Sequence, residues 1–317
     1  MRRIAWIALL AAIGLAGCGA PARAIDPTHF PTLAPPPAAS PTQVVATATA
    51  EPTAVAIDPA VTCVPPSLMM HSKDRYLLQQ TVIPFLVKNH YTTLTYRDYA
   101  DILDGQKPMP QRPVLLSIDD IPADYINSYF RAMFGSLHDA GLVSTIAMNP
   151  NQPPEKTAEN IQASWALVKS WSEWGMAVET HTVNHRYLPG ALPPEVEFEI
   201  VESARRIAAG VGISPVALVL PYGAEDTSGN EQAPGLIPFS QEAHLKFLVG
   251  ITGGRQITAG ALPIPQDEYP VYVGRVGANK DQPGETLWEI QHWYCAVPAC
   301  AKLAPINCSN PNATLTP

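Results

Sequence analysis

Short apolar runs alternate with amphipathic segments along the chain from about residue 63 onward. The runs have the length and the branched or aromatic content of buried strands, over residues 67–70, 91–95, 114–118, 142–148, 176–180, 216–220, 247–251 and 272–276. Between them, apolar positions recur at helical spacing over residues 75–88, 125–140, 157–174 and 195–209. This alternation predicts βα units that build a parallel sheet covered by helices.

Two polar clusters follow two of the predicted strands. Asp119 and Asp120 come directly after the run 114–118, and His181 and His185 follow the run 176–180. The carboxyl ends of parallel strands meet at one edge, and two histidines with one carboxylate suit a divalent metal with an open position. The second carboxylate could then take a proton from a water molecule. Each cluster alone has a simpler explanation. The aspartates could form a solvated turn or a helix cap, and the histidines could lie on an exposed helix face. Their joint position at strand ends favours a metal site.

These clusters resemble the motifs of a known family. Residues 117–120, Ser-Ile-Asp-Asp, resemble the T-F-D-D motif of the polysaccharide deacetylases (NodB homology, carbohydrate esterase family 4), and residues 181–185 match its H-[ST]-x-x-H motif. Residues 220–223, Leu-Pro-Tyr-Gly, resemble the third motif, which ends in P-Y-G. The likeness runs from about residue 64 to residue 276 and is nearest to the poly-N-acetylglucosamine deacetylase branch. It implies an α/β fold, a distorted (β/α)7-type barrel, with a metal site at the carboxyl ends of the strands.

The resemblance also implies roles for individual residues. The metal ligands are expected to be Asp120, His181 and His185, holding one divalent ion, zinc first and cobalt or nickel as alternatives. Asp119 is expected to be the general base. The backbone N–H of Tyr222 is expected to hold the oxyanion, and Pro221 and Tyr222 to contact the substrate.

The chain departs from the family pattern in three respects. The chain has no good copy of the C-terminal L-x-H motif that often supplies the general acid. His71, in a Leu-Met-Met-His segment that resembles M-Y-H of the exopolysaccharide branch, is preferred for this role over His292. Many members have an arginine where this chain has Val219, and Arg275 on a later strand fits the task of orienting the base. Ile121 replaces the glycine that normally follows the paired aspartates.

The amino-terminal segment predicts export. Two arginines and an apolar stretch shorter than a membrane span lead to Leu-Ala-Gly-Cys18, which resembles a bacterial lipobox. We therefore expect a signal peptide over residues 1–17, a lipidated Cys18 and an extracytoplasmic, membrane-anchored protein; the alternative is an ordinary signal cleaved near Ala24. Residues 18–62 are rich in Pro, Ala and Thr and predict an extended tether. The deacetylase domain is expected over residues 63–303, followed by an irregular tail over residues 304–317.

Charge and composition limit the partners. The chain has 20 basic and 28 acidic residues and a formal net charge of −8. This acidic balance provides no basic stripe for nucleic acid or anionic lipid, so the lipid on Cys18 is the expected membrane contact. We expect a monomer whose partner is an N-acetylated polysaccharide.

The cysteines after Cys18 are even in number: Cys63, Cys295, Cys300 and Cys308. In an oxidising compartment they predict two disulfides with three open pairings, one of which ties Cys63 to the carboxyl-terminal tail. A metal site formed by all four thiolates is the competing interpretation, which the absence of a CxxC spacing disfavours.

The function expected from the resemblance is metal-dependent hydrolysis of N-acetyl groups on an N-acetylglucosamine-containing extracellular or cell-wall glycan. Two alternatives stay open. The first is a glycan-binding lipoprotein on the same fold, which the departures from the family motifs favour. The second is an O-acetyl esterase of the xylan-acting type, since the same metal site can cleave esters.

Overall fold

The computed structural model of the protein describes residues 63–151, 156–223, 233–251, 271–278, 281–296, 300 and 303. The predicted signal peptide, the tether with Cys18, the tail after residue 303 and Cys308 lie outside the described residues. Within the described ranges, no helix is long and apolar enough to cross a membrane.

Eight parallel strands form the centre of the domain: β1 (Ser67–Met70), β2 (Thr92–Leu94), β3 (Pro113–Pro122), β4 (Thr145–Asn149), β5 (Ala177–Thr180), β6 (Ala217–Val219), β7 (Phe247–Ile251) and β8 (Val271–Gly277). Seven of them close into a barrel in the order β1, β8, β7, β6, β5, β4, β3, because β1 pairs with both β3 and β8. Strand β2 pairs only with the start of β3 and stays outside the ring. The predicted (β/α)7-type barrel is confirmed.

Helices connect the strands: α1 (Arg75–Leu77), α2 (Ile83–Lys88), α3 (Tyr96–Leu103), α4 (Ser128–Asp139), α5 (Ala158–Glu173), α6 (Pro193–Glu197), α7 (Ser203–Val211), α8 (Ala233–Glu242) and α9 (Pro283–Ala296). A π-helical segment, Leu78–Val82, joins α1 to α2, and another, Phe198–Glu202, joins α6 to α7. Each of the predicted helices, 75–88 and 195–209, is therefore continuous in the structure, with a π-helical segment in its middle. Asn127 caps α4 by accepting from the N–H groups of Tyr129 and Phe130, so this helix starts three residues later than predicted.

Strand β3 corrects one expectation from the sequence. We predicted that the strand ends at Ile118 and that the paired aspartates follow it. Instead β3 runs to Pro122, and its register against β4 shifts between Ile118 and Ile121. This irregularity places the aspartates inside the strand, where a bulge redirects side chains. Ile121, which occupies the usual glycine position, is fully buried and pairs with Met148.

The core fills the barrel and the space between the barrel and its helices. Trp171 is almost fully buried and its ring packs 4.3 Å, between centroids, from that of Phe134. A disulfide joins Cys63, at the start of the domain, to Cys300. Cys295 is disulfide-bonded as well. Four thiolates in one metal site are therefore excluded, and the first disulfide ties the two ends of the domain together.

Gly210 in α7 offers a test of this packing. A Cβ at this position would collide with the indole ring of Trp165, whereas a Cβ at Gly135 in α4 would have no atom within 4 Å. Alanine normally stabilises a helix by about 1 kcal/mol relative to glycine. We expect Gly135→Ala to raise the melting temperature, and Gly210→Ala to lower the free energy of unfolding by about 1 to 3 kcal/mol because of overpacking. Equal effects of the two substitutions in denaturant titrations would contradict the contact.

Glu179 links β5 to β6, which share a single register pair, Thr180 with Leu218. Its fully buried carboxylate accepts hydrogen bonds from the N–H groups of Val216 (2.5 Å) and Ala217 (2.8 Å). Burial raises the pKa of Glu179 to about 7, and this effect exceeds the opposing influence of the Arg97 charge and of the two backbone hydrogen bonds. The domain therefore holds a carboxyl group that changes charge near neutral pH.

This group should make stability depend on pH. Below an ordinary pKa of 4.5 the carboxyl is neutral in both the folded and the unfolded chain, so nothing is lost. Between 4.5 and about 7 only the unfolded chain releases the proton, and stability falls as pH rises, by about 3 kcal/mol in total. We expect Glu179→Gln to flatten the curve of unfolding free energy against pH over this window. Glu159→Gln, on the exposed face of α5, is the control and should leave the curve unchanged.

Candidate functional site

Three side chains converge at the carboxyl-terminal edge of the barrel. The Oδ1 atom of Asp120, on β3, lies 3.2 Å from Nε2 of His181 and 3.0 Å from Nε2 of His185, both of which follow β5. One ligand atom from each residue lies within 4.8 Å of the others. The structure thus brings together the three residues predicted as metal ligands.

The geometry fits a divalent metal. Ligands that bind zinc at about 2.0 to 2.2 Å are separated from one another by about 3 to 3.5 Å, which is the separation of Asp120 from both histidines. The Nδ1 atom of His181 lies 2.7 Å from the carbonyl oxygen of Val219. Because a carbonyl only accepts, Nδ1 carries the proton and Nε2 presents its lone pair to the cluster. Burial alone would raise the pKa of Asp120, but the two imidazole rings beside it outweigh this effect and hold the pKa far below its usual range.

Hydrogen bonds fix the loop that carries the histidines. The two carboxylate oxygens of Glu199 accept from the backbone N–H and from the side-chain amide of Asn184, both at 2.8 Å. The carbonyl of Glu199 accepts from the N–H of Val183. Thr182 contributes its hydroxyl oxygen, which accepts from the N–H of Arg186 at 3.2 Å. Glu199 is 3 % exposed, so these bonds compete little with water and hold His185 in place.

Four site residues have left-handed backbone conformations: Asp120 (φ 62°), Thr182 (φ 61°), His185 (φ 54°) and Tyr222 (φ 61°). Residues other than glycine rarely adopt this region, and it costs about 1 to 2 kcal/mol for each of them. Such strain persists where the surrounding structure imposes it, and it concentrates at functional sites. Asp120 stands at the register shift in β3, and His185 directly follows Asn184, which Glu199 binds.

Asp119 lies beside the metal cluster but points toward a different partner. Its Oδ2 atom accepts from Nη1 of Arg275 at 2.6 Å, and the same nitrogen donates to the hydroxyl of Ser117 at 2.9 Å. Both members of the ion pair are at most 1 % exposed. Oδ1 of Asp119 has no hydrogen-bond partner among the described residues. Arg275 therefore fixes one oxygen of this carboxylate, while the other is buried without a hydrogen-bond partner among the described residues.

His71 also faces the cluster. It follows β1, and its Nε2 lies 3.7 Å from Oδ2 of Asp120. On the other side, Oδ2 of Asp74 accepts from the backbone N–H of His71 at 2.9 Å and lies 3.7 Å from its Nδ1. The Asp74 interaction is the largest influence on His71 and raises the pKa of the imidazole, with burial opposing it. The pair can hold and release a proton on the side of the cluster formed by β1.

The remaining sequence candidates fall in two places. Tyr222 is 67 % exposed next to the cluster, with its ring centroid 4.7 Å from that of His185, and Pro221 before it is buried. His292 lies in α9, where its ring stacks on Trp288 at 4.4 Å. Among the described residues, no contact joins His292 to the metal cluster. Geometry therefore favours His71 over His292 as the histidine that acts at the site.

Sequence reasoning missed Asp74 and Glu199. Asp74 stands three residues after His71, a spacing typical of a capping box, and this could have pointed to it. Glu199 accepts a hydrogen bond from Asn184, 15 residues earlier in the chain. No sequence motif predicts this contact.

A closed parallel (β/α)7 barrel with an Asp-His-His cluster at its carboxyl-terminal edge defines the class: a barrel protein with a site suited to a single metal ion. The class can be named more closely from sequence. Residues 106–234 match the family model described as polysaccharide deacetylase. The resemblance predicted from the motifs is confirmed: this part of the chain is similar to the polysaccharide deacetylases. No curated protein gives a significant match.

Solved structures support the fold. The Streptococcus pyogenes deacetylase PplD, solved in complex with acetate, is 17 % identical with a TM-score of 0.56, and the match covers 72 % of this chain and 99 % of that one. IcaB from Ammonifex degensii is 17 % identical with a TM-score of 0.50, covering 71 % and 96 %. A polysaccharide deacetylase from Bacillus cereus is 18 % identical with a TM-score of 0.50, covering 71 % and 68 %. At these identities the similarity establishes the shared barrel.

Proposed function

We propose that the protein is a metal-dependent deacetylase that removes N-acetyl groups from an N-acetylglucosamine-containing glycan outside the cytoplasm, anchored to the membrane through a lipid on Cys18. The observation that carries the proposal is the meeting of three side chains that could hold a metal with a separate buried carboxylate, Asp119, one oxygen of which has no hydrogen-bond partner among the described residues. Zinc is the proposed ion, because one carboxylate and two imidazoles suit it.

The residues suggest how the amide would be cleaved. A divalent ion held by Asp120, His181 and His185 would polarise the acetyl carbonyl and make a nearby water more acidic. Asp119 would accept a proton from the attacking water through Oδ1, while Arg275 holds the other oxygen. The backbone N–H of Tyr222 would stabilise the oxyanion. When the C–N bond breaks, His71 would give a proton to the amine, which leaves acetate and a free amino sugar.

The surroundings of the site favour a sugar substrate. Tyr222 and Tyr187 are 67 % and 46 % exposed, with ring centroids 6.1 Å apart beside His185. Aromatic faces bordering a polar site suit the apolar faces of pyranose rings, and the hydroxyl groups can bind the sugar oxygens.

Metal removal tests the proposal. We expect the purified protein to release acetate from N-acetylglucosamine oligomers, to lose this activity to background after chelation, and to regain it when zinc, cobalt or nickel is added. Acetylated xylan serves as the parallel ester substrate. Release from the ester alone would favour the esterase, and absence of release from both substrates by metal-bound protein would favour a glycan-binding module. Equal activity with and without metal would overturn the proposal.

A further inference from the structure

An arginine that packs against two tyrosine rings lies near the same edge of the barrel. The Cζ atom of Arg75 lies 4.2 Å from the ring centroid of Tyr76 and 4.7 Å from that of Tyr129. The tyrosines are 61 % and 49 % exposed, so their outer surfaces face solvent. Across the described part of the chain, no hydrogen bond or ion pair joins a carboxylate to the Arg75 guanidinium. The group is a cation that packs against two aromatic rings and has no carboxylate partner among the described residues.

The topology puts this group beside the catalytic residues. Arg75 begins α1 one turn after His71, which follows β1. Tyr129 is in the first turn of α4, which follows β3, the strand that carries Asp120. Strands β1 and β3 are hydrogen-bonded neighbours in the barrel. The Arg75 group therefore lies on the His71 side of the proposed metal site. Tyr222 follows β6, the strand on the opposite side of the barrel.

The chemistry of Arg75 and its two tyrosines favours the binding of a negatively charged sugar. The fork of N–H groups on a guanidinium matches the two oxygens of a carboxylate, and packing against the tyrosine rings leaves the Arg75 fork without a carboxylate partner among the described residues. Packing against the two rings also restricts the arginine before a ligand arrives, which lowers the entropy cost of binding. The adjoining exposed tyrosine faces suit a pyranose ring. In a chain of net charge −8, an acidic glycan needs such a local cation to bind at this edge.

We propose that Arg75, Tyr76 and Tyr129 form a subsite for a carboxylate-bearing sugar next to the N-acetylated sugar that is cleaved. This inference rests on the proposed deacetylase function and specifies its substrate as an acidic rather than a neutral glycan. A cation–π pair with a purely structural role would stabilise the domain without distinguishing charged from neutral ligands.

A matched pair of ligands tests the subsite. The first is a tetrasaccharide that alternates N-acetylglucosamine with glucuronic acid, and the second is the same tetrasaccharide with its carboxylates methyl-esterified. Binding is measured by calorimetry on metal-loaded Asp119→Asn protein, so that turnover does not interfere. We expect the acidic ligand to bind about tenfold tighter than the ester. Arg75→Gln should remove this preference while leaving affinity for the ester within about twofold.

Lys73→Gln is the control, since it removes an exposed cation two residues away that has no cation–π contact among the described residues. It should keep the preference, and the melting temperature of each variant checks folding. Equal affinity of the parent protein for the two ligands, or an equal loss for both in Arg75→Gln, would overturn the subsite. Acetate release by the wild-type protein is scored separately. Preference without release would refute the deacetylase proposal alone, and release without preference would refute the subsite alone.

Discussion

Replacing Asp119 by asparagine is expected to lower the rate of acetate release by about 100- to 10,000-fold, the usual contribution of a general base. Asparagine has nearly the same shape and its amide oxygen can still accept from Arg275. It cannot take a proton from water at Oδ1, the oxygen that has no partner among the described residues. The measurement is acetate release at saturating zinc, with kcat and KM determined separately. The loss should fall on kcat, because the substrate still meets Tyr222 and the metal.

Asp120→Asn is the matched control, since it makes the same chemical change one residue along the strand. It should weaken metal binding, so that excess zinc restores part of the activity, whereas zinc should not restore Asp119→Asn. Titration with a zinc-sensitive dye separates the two effects. If Asp119→Asn retained more than a tenth of the wild-type kcat with normal zinc affinity, another group would have to be the base.

The sequence predicted the main site residues because their positions follow from local pattern. Runs of branched residues mark the strands, and polar residues that follow such runs must lie at one edge of a parallel sheet. This reasoning needs no knowledge of distant contacts. It was enough to bring the two aspartates and the two histidines to one edge, and the resemblance to the family then assigned Asp120 as the ligand and Asp119 as the base.

Other features depend on contacts that local pattern does not encode. The register shift in β3 leaves no periodicity signal, because an extra residue at Asp119 and Asp120 looks the same as a strand that ends there. Strand β2 lies outside the ring because it pairs with the start of β3, whereas β1 and β4 pair with β3 further along its length. The disulfide between Cys63 and Cys300 spans 237 residues, and composition left three pairings equal.

The ion pair between Asp119 and Arg275 joins residues 156 positions apart. Breaking it is expected to have the second large effect, on both the stability of the domain and its activity. Both charges are almost completely buried, so removing one leaves the other desolvated without compensation. We expect Arg275→Met to lower the free energy of unfolding by about 3 to 5 kcal/mol and to reduce acetate release strongly, because Oδ2 of Asp119 loses its anchor. Urea titration and acetate assays measure the two losses.

A double substitution separates the pair from the packing around it. In Asp119→Asn with Arg275→Met, neither charge is left buried alone, so the combined loss of stability should be smaller than the sum of the single losses by about 2 kcal/mol or more. Arg275→Lys is the conservative control. It keeps the charge but cannot reach Asp119, Ser117 and the carbonyl of Gly250 together, so it should recover stability more than rate. Additive losses would mean that the arginine acts through packing alone. Coupled losses would show that one buried contact both stabilises the barrel and orients its proposed base.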